Sequence, residues 1–188
     1  QSSAASDVYK RQASGTVLVA DPWDGSDTSS PLDWLTAVGN TLFFEAYSTA
    51  NGMELWKSDG TASGTVMVKD INSGSDGSAP TYLTAIGNTL YFLADDGTNG
   101  AELWMSDGTT SGTVMVRDIH SGSDGSYPDE LTAVGNTLYF TATDGTNGME
   151  LWKSDGTSSS TVMVKDIYSG ISGSYIESPT AIGLSLIH

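Results

Sequence analysis

Glu54, Glu102 and Glu150 each open a Glu-Leu-Trp triplet, and acidic, glycine-rich loops recur around them. These are the places where the 188-residue chain gathers side chains capable of chemistry. Paired carboxylates can act as general acid and base. An enzyme, however, needs one asymmetric site, whereas a carboxylate present in every copy of a repeat is architecture. The three glutamates are therefore read as cross-strand partners of Lys69, Arg117 and Lys165, and Trp56, Trp104 and Trp152 as packing residues. His120 stands where its sister copies carry Asn72 and Tyr168, so nothing there demands an imidazole, and it is read as solvent-facing. No arrangement of serine, histidine and aspartate resembles a nucleophile elbow, and no catalytic residue is expected.

Calcium is the one cofactor the loops suggest. It takes roughly six to eight oxygens from carboxylates, amides and backbone carbonyls, which flexible Gly/Asp loops can supply. One such loop is Asp95–Gly100, copied at Thr143–Gly148; the other is Asp70–Ser78, copied at Asp118–Ser126. Asp76 and Asp124 are the expected ligands, with Asp70 and Asp118 as their partners. The fourth copy reads Ile171-Ser172-Gly173 and lacks the acid. The spacing is not that of an EF-hand, and Asp and Asn also favour turns through their own side-chain hydrogen bonds.

The chain around these residues is a repeat. Asn51–Ile71 returns at Asn99–Ile119 and at Asn147–Ile167, a period of 48 residues. Such periods mark repeat architectures. Each unit reads as four short strands, shown here for the second: A at Tyr82–Gly87, B at Thr89–Asp95, C at Ala101–Ser106 and D at Thr113–Ile119. Gly87-Asn88 is a two-residue hairpin signal between A and B. No window carries a helical apolar period, so no helix is expected. One extra residue falls between Pro31 and Leu35, where Leu32-Asp33-Trp34 replaces Thr81-Tyr82; it is read as marking a loop. Full units are placed at about 35–71, 82–119 and 130–167. A leading strand D at Thr16–Val19 and a trailing strand A up to Gly183 complete the span.

Side-chain chemistry selects a register. Setting Ile86 opposite Thr89 places Leu83, Ala85, Leu90 and Phe92 on one apolar face. Setting Glu102 opposite Arg117 places Leu103 opposite Val116 and Trp104 opposite Met115. A slip of one would put Glu against Val in every copy. A four-stranded antiparallel unit of this length matches a propeller blade. The expected fold is therefore all-β, a partial β-propeller of four-stranded antiparallel blades, with a β-solenoid as the alternative.

The string Glu-Leu-Trp-x-Ser-Asp-Gly-Thr resembles the signature of the ELWxxDGT-repeat family, large secreted or surface proteins of bacteria. The resemblance covers nearly all of Ala13–Gly183 and implies a propeller-like repeat. Its Ser-Asp-Gly-Thr also resembles the Asp-box of propeller sialidases, which shapes the turn between third and fourth strands and is not catalytic. That structural role is carried over to Asp59, Asp107 and Asp155 with their neighbours.

The two ends break the repeat. Ser2–Gln12 and Leu184–His188 can be encoded by DNA strings of which the second is the reverse complement of the end of the first. Residues 1–12 and 184–188 are read as translated sequencing adapter, which leaves the repeat at 13–183. The full sequence carries 23 acidic against 7 basic residues, for a net charge of −16. Without Asp7, Lys10 and Arg11 the charge is −17. That argues against nucleic acid and anionic membrane surfaces. No stretch is long and apolar enough to span a bilayer, and there is no cysteine for a disulfide or a thiolate metal site. The expected role is a non-catalytic scaffold, extracellular or at the cell surface, that presents loops to a protein or glycan and packs against the remaining blades of a longer parent protein, since full propellers need roughly four to eight blades. Its nearest alternatives are a piece of a propeller hydrolase or lyase with its active site elsewhere, and a calcium-stabilised adhesin.

Overall fold

The computed structural model describes residues 18–19, 32–174, 176–177 and 179–181. The adapter-like ends lie outside the described residues, as do Thr16 and Val17 of the expected leading strand D. Among the described residues there is no helix and there are twelve strands. The first unit holds β1 (Asp33–Val38), β2 (Thr41–Ser48), β3 (Gly52–Ser58) and β4 (Val66–Lys69). The second holds β5 (Thr81–Ile86), β6 (Thr89–Asp95), β7 (Ala101–Ser106) and β8 (Val114–Arg117). The third holds β9 (Asp129–Val134), β10 (Thr137–Thr143), β11 (Met149–Ser154) and β12 (Val162–Lys165). Each unit is one four-stranded antiparallel sheet in simple sequence order.

Local chemistry accounts for the meander. In each A/B hairpin a glycine is the first central residue: Gly39, Gly87 and Gly135 have φ of 58°, 58° and 61°. Positive φ at that position is what a two-residue II′ turn requires, and its twist matches that of the strands. The expected A/B register holds, with Ile86 opposite Thr89 and Ala85 opposite Leu90. Strand D is shorter than expected, ending at Arg117 instead of Ile119. Strands A begin earlier than expected: Asp33 and Trp34 belong to β1 rather than to a loop.

The core lies between sheets. One face of each sheet presents Phe43, Leu55, Val68 and Ile71, or their repeats, to the next unit. The opposite face presents Leu90, Phe92, Ala94 and Trp104, or their repeats, to the previous one. The apolar face expected from Leu83, Ala85, Leu90 and Phe92 is a single cluster packed on the first sheet. Close backbone approaches between sheets concentrate at strands A, with β1 beside β5 and β5 beside β9. Side chains stitch those strands together: Thr36 Oγ1 donates to the Leu83 carbonyl at 3.0 Å, and Thr84 Oγ1 to that of Leu131 at 3.4 Å.

Candidate functional site

The recurrent glutamates are buried and serve the fold. Glu54, Glu102 and Glu150 have no exposed surface. Glu102 accepts hydrogen bonds from the backbone N–H of Ile119 (3.1 Å) and His120 (3.2 Å) and from Ser126 Oγ (2.5 Å). Glu54 does the same work through Asn72 N, Ser78 N and Ser78 Oγ. Burial raises the pKa of both carboxyls, against the pull of these hydrogen bonds. They tie the loop after strand D back under strand C.

The ion pairs Glu54–Lys69, Glu102–Arg117 and Glu150–Lys165 do not form. Trp104 faces Met115 as expected, but a bulge between Leu103 and Trp104 sets Arg117 opposite Leu103. The same bulge sets Lys69 opposite Leu55 and Lys165 opposite Leu151. The extra residue turns Lys69 and Arg117 toward the next sheet. Lys69 Nζ donates to the Thr113 carbonyl at 2.8 Å and lies 5.5 Å from the Trp104 ring centroid. Arg117 Nη1 donates to the Thr161 carbonyl at 2.6 Å. The buried glutamate gains several directed donors instead of one mobile charge, which is the better solution for a desolvated carboxylate. Trp104 and Trp152 are buried, as packing residues should be, and Trp56 on the first sheet is half-buried.

The Ser-Asp-Gly-Thr segments form turns. Asp107 Oδ1 accepts from Thr109 N (2.8 Å) and Thr109 Oγ1 (2.6 Å), and Asp59 and Asp155 repeat the arrangement. Hydrogen bonds from the Thr61 and Thr109 side chains, then from their backbone N–H, hold the Asp59 and Asp107 carboxyls below the usual range. The Asp95–Gly100 loop is likewise closed on itself, with Asp96 accepting from Thr98 N, Asn99 N and Asn99 Nδ2. Asp76 and Asp124 are exposed, and Asp70 and Asp118 are half-buried with one carboxylate oxygen each lacking a hydrogen-bond partner. Among the described residues no three His, Asp or Glu side chains come together as a metal site. His120 is half-buried rather than solvent-facing. Its Nδ1 lies 2.9 Å from the Gly125 carbonyl, where Asn72 Nδ2 meets that of Gly77 in the first unit.

With the repeated residues assigned to architecture, the positions that differ between units become informative. At the outset of strand A the chain reads Asp33-Trp34, Thr81-Tyr82 and Asp129-Glu130 in successive units. Trp34, Tyr82 and Glu130 all have left-handed backbone, with φ of 58°, 56° and 56°. Each sits at a register shift in the A/B ladder. A non-glycine residue held in this region costs of the order of 1–3 kcal/mol, and such strain clusters at functional sites. Here it recurs in three units with three different side chains, so the frame holds the backbone while the side chain is free to vary.

These residues are neighbours across the sheets. The Trp34 and Tyr82 ring centroids are 4.9 Å apart at 53°. Burial raises the Tyr82 pKa, assisted by the charge and hydrogen bond of Asp129 and the charge of Glu130. A cavity of about 260 Å³ opens among Trp34, Tyr82, Asp129, Glu130 and Thr132. A second, of about 460 Å³, shares Asp129 and Glu130 and extends to Thr141 and Glu177. Beside Asp33, Glu45 is buried and its pKa is pushed up to about 7, first by burial and then by the Asp33 charge. The strand A edge is thus an aromatic pair followed by an acidic trough, fit to stack on an apolar face and to accept hydrogen bonds from hydroxyl or ammonium groups. Trp34, Tyr82, Asp129 and Glu130 were not singled out from sequence. The available signal was the contrast between their identities and the near-identity of the surrounding repeat.

No family model matches this chain, and no curated protein does. Among solved structures it is similar to a puromycin hydrolase mutant, at 16% identity and a TM-score of 0.48, over 70% of this chain and 21% of that one. It is also similar to the computationally designed Ika4 protein, at 19% identity and a TM-score of 0.46, over 81% of this chain and 84% of that one. A third is the designed Ika8 protein, at 19% identity and a TM-score of 0.39, over 80% and 42%. The chain spans about a fifth of the hydrolase (21% of its length).

Proposed function

We propose that this chain is a non-catalytic propeller scaffold of the ELWxxDGT-repeat type, from a bacterial surface or secreted protein. Its three sheets are blades, and strands A line the axis. The convergence of β1, β5 and β9 supports that arrangement, because blades of a propeller approach most closely at their inner strands. The ligand surface is the inner edge, and a glycan suits it best. Trp34 and Tyr82 supply the stacking face, and Asp129 and Glu130 accept from sugar hydroxyls. The observation that carries this reading is the variable side chain at one strained, otherwise invariant backbone position per unit.

Titration of the full chain against a panel of neutral and amino sugars, read by tryptophan fluorescence, tests it. The expected result is saturable binding that Trp34→Ala and Glu130→Ala each weaken by about tenfold or more, as loss of a stacked ring or of a charged hydrogen bond should. Binding unaffected by either substitution would place the ligand elsewhere. Binding to a basic protein surface in place of a sugar would keep the site and change its ligand.

A further inference from the structure

Among the described residues the two outer sheets are only partly covered: Thr132 Oγ1 donates to the Pro179 carbonyl at 3.4 Å beside β9, and Leu18 and Val19 reach the leading face of β1–β4, yet both outer faces stay more exposed than the faces already joined inside the chain. Val68 and Val116, which look toward the following sheet, are 5% and 6% exposed, whereas Val164 is 45% exposed. Ile71 and Ile119 are both 8% exposed, whereas Ile167 is 55% exposed. Tyr139 and Leu151 complete that trailing face and are half-buried, where Tyr91 and Leu103 are buried. At the other end, the leading face of β1–β4 opens into a cavity of about 570 Å³ lined by Leu42, Phe44, Leu18, Val19 and Leu32. Leu42 and Phe44 are the repeats of Leu90 and Phe92, which the first sheet covers. Val19, at the position of Val68 one unit earlier, reaches the cavity but remains 38% exposed.

Polar contacts follow the same series. Lys69 and Arg117 donate across to the carbonyls of Thr113 and Thr161, and both threonines are fully buried. Lys165, on the last sheet, is exposed, and Thr65, on the first, is only half-buried. Each end therefore carries one half of an interface that the chain builds twice within itself.

We propose that two copies of this chain associate head to tail, each seating the trailing face of β9–β12 on the leading face of β1–β4 of the other. Val164 and Ile167 then occupy the place that Val68 and Ile71 take against β5–β8, Val164 supplants Val19, and β1 of the second copy supplants the Pro179 segment beside β9. Lys165 donates to the Thr65 carbonyl of the second copy. Two such contacts close a ring of six sheets, within the roughly four to eight blades that such rings contain. A heterologous contact whose rotation closes gives a ring, and one that does not gives an open filament. The strong negative charge on each copy opposes association, so the dimer tightens as salt screens it.

Sedimentation velocity on the full chain, across concentration and salt, decides the matter. The expected species is a dimer of about 39 kDa, twice the 19.6 kDa chain, with a dissociation constant that falls at least about tenfold between about 0.05 and about 0.5 M salt. Val164→Lys with Ile167→Lys should return it to monomer. Both side chains are solvent-exposed within one copy, so an unchanged circular dichroism spectrum is expected to show that each copy still folds. Mixing that variant with Leu42→Lys should restore association at the one intact interface. A monomer at every concentration and salt, a dimer indifferent to the double substitution, or a species that grows without limit would each overturn the closed head-to-tail dimer.

Discussion

Ser126 Oγ lies 2.5 Å from Glu102 Oε2, so a loop 24 residues further along the chain closes over the carboxylate of strand C. Ser78 and Glu54 repeat the contact at 2.6 Å. In the third unit Ser174 Oγ donates instead to the Met149 carbonyl, at 3.3 Å. The Glu of each triplet is thus a buried anchor for the connection between one sheet and the next.

Ser126→Ala should therefore destabilise the chain by about 1–3 kcal/mol, the cost of leaving a buried charged acceptor short of a donor. Ser174→Ala should cost less, because Glu150 does not depend on it. Glu102→Gln should be worse than Ser126→Ala, since its amide NH₂ would be turned toward backbone N–H groups. Urea unfolding of the three variants gives the order. Equal effects for Ser126→Ala and Ser174→Ala would remove the anchoring role.

Glu45 makes stability pH-dependent. Its folded-state pKa is raised from 4.5 to about 7, so the folded chain holds this proton more tightly than the unfolded chain does. The favourable contribution is complete below about pH 4.5 and is lost as pH rises toward 7. Glu45→Gln should remove that slope. It should leave stability near pH 4 unchanged and raise it at pH 8, by up to about 3 kcal/mol from the size of the shift. Thermal melts of both proteins across this range check it, and parallel curves would exclude Glu45 as the source.

The repeat, strands B and C, the A/B register and the Trp104–Met115 contact were legible in the sequence because each follows from periodicity or from pairing of like surfaces. The Glu–Lys pairing was not. A bulge adds one residue to strand D without altering the apolar pattern, since Val68 and Val116 stay in the core on either count. Opposite charges at plausible spacing then suggested an ion pair, where the structure uses the acid within a unit and the base between units. The variable positions on strands A were hidden for a different reason. Trp34 read as part of a loop and Tyr82 as the first residue of an ordinary strand, because left-handed backbone at a non-glycine residue leaves no compositional trace.

The loop after strand D crosses strand C so closely that only glycine fits at the crossing. Gly100 has φ of 68°, and a Cβ there would stand 2.5 Å from Gly125 N and 2.7 Å from the Ser123 carbonyl oxygen. Gly100→Ala should cost about 2–4 kcal/mol, combining left-handed strain with backbone overlap. Gly87→Ala has similar φ but open space around it, so it should cost only about 1–2 kcal/mol from strain. Denaturant midpoints for the two variants separate sterics from conformation. Equal midpoints would mean that the loop moves aside without penalty.

The three turns between strands C and D contain a substitution already made within the chain. Gly64 and Gly112 lie against the Asp59 and Asp107 carboxylates, and a Cβ at Gly112 would meet Asp107 Oδ1 at 2.1 Å. The third unit carries Ser160 at that position, and its hydroxyl donates to Asp155 Oδ1. That side-chain hydrogen bond leads the causes that hold the Asp155 carboxyl below its usual range. The carboxylate therefore has room to give way, and a hydroxyl repays the shift by donating to it. Neither Gly64 nor Gly112 has positive φ, so a side chain meets no backbone strain. Gly112→Ser should thus be nearly neutral, within about 0.5 kcal/mol, as surface changes without lost contacts usually are. Gly112→Val, which keeps the bulk and removes the donor, should cost about 1–3 kcal/mol through overpacking. Side-by-side thermal melts decide: a serine as damaging as valine would show that the turn tolerates Ser160 only in its own unit, and that the three copies are not interchangeable at this position.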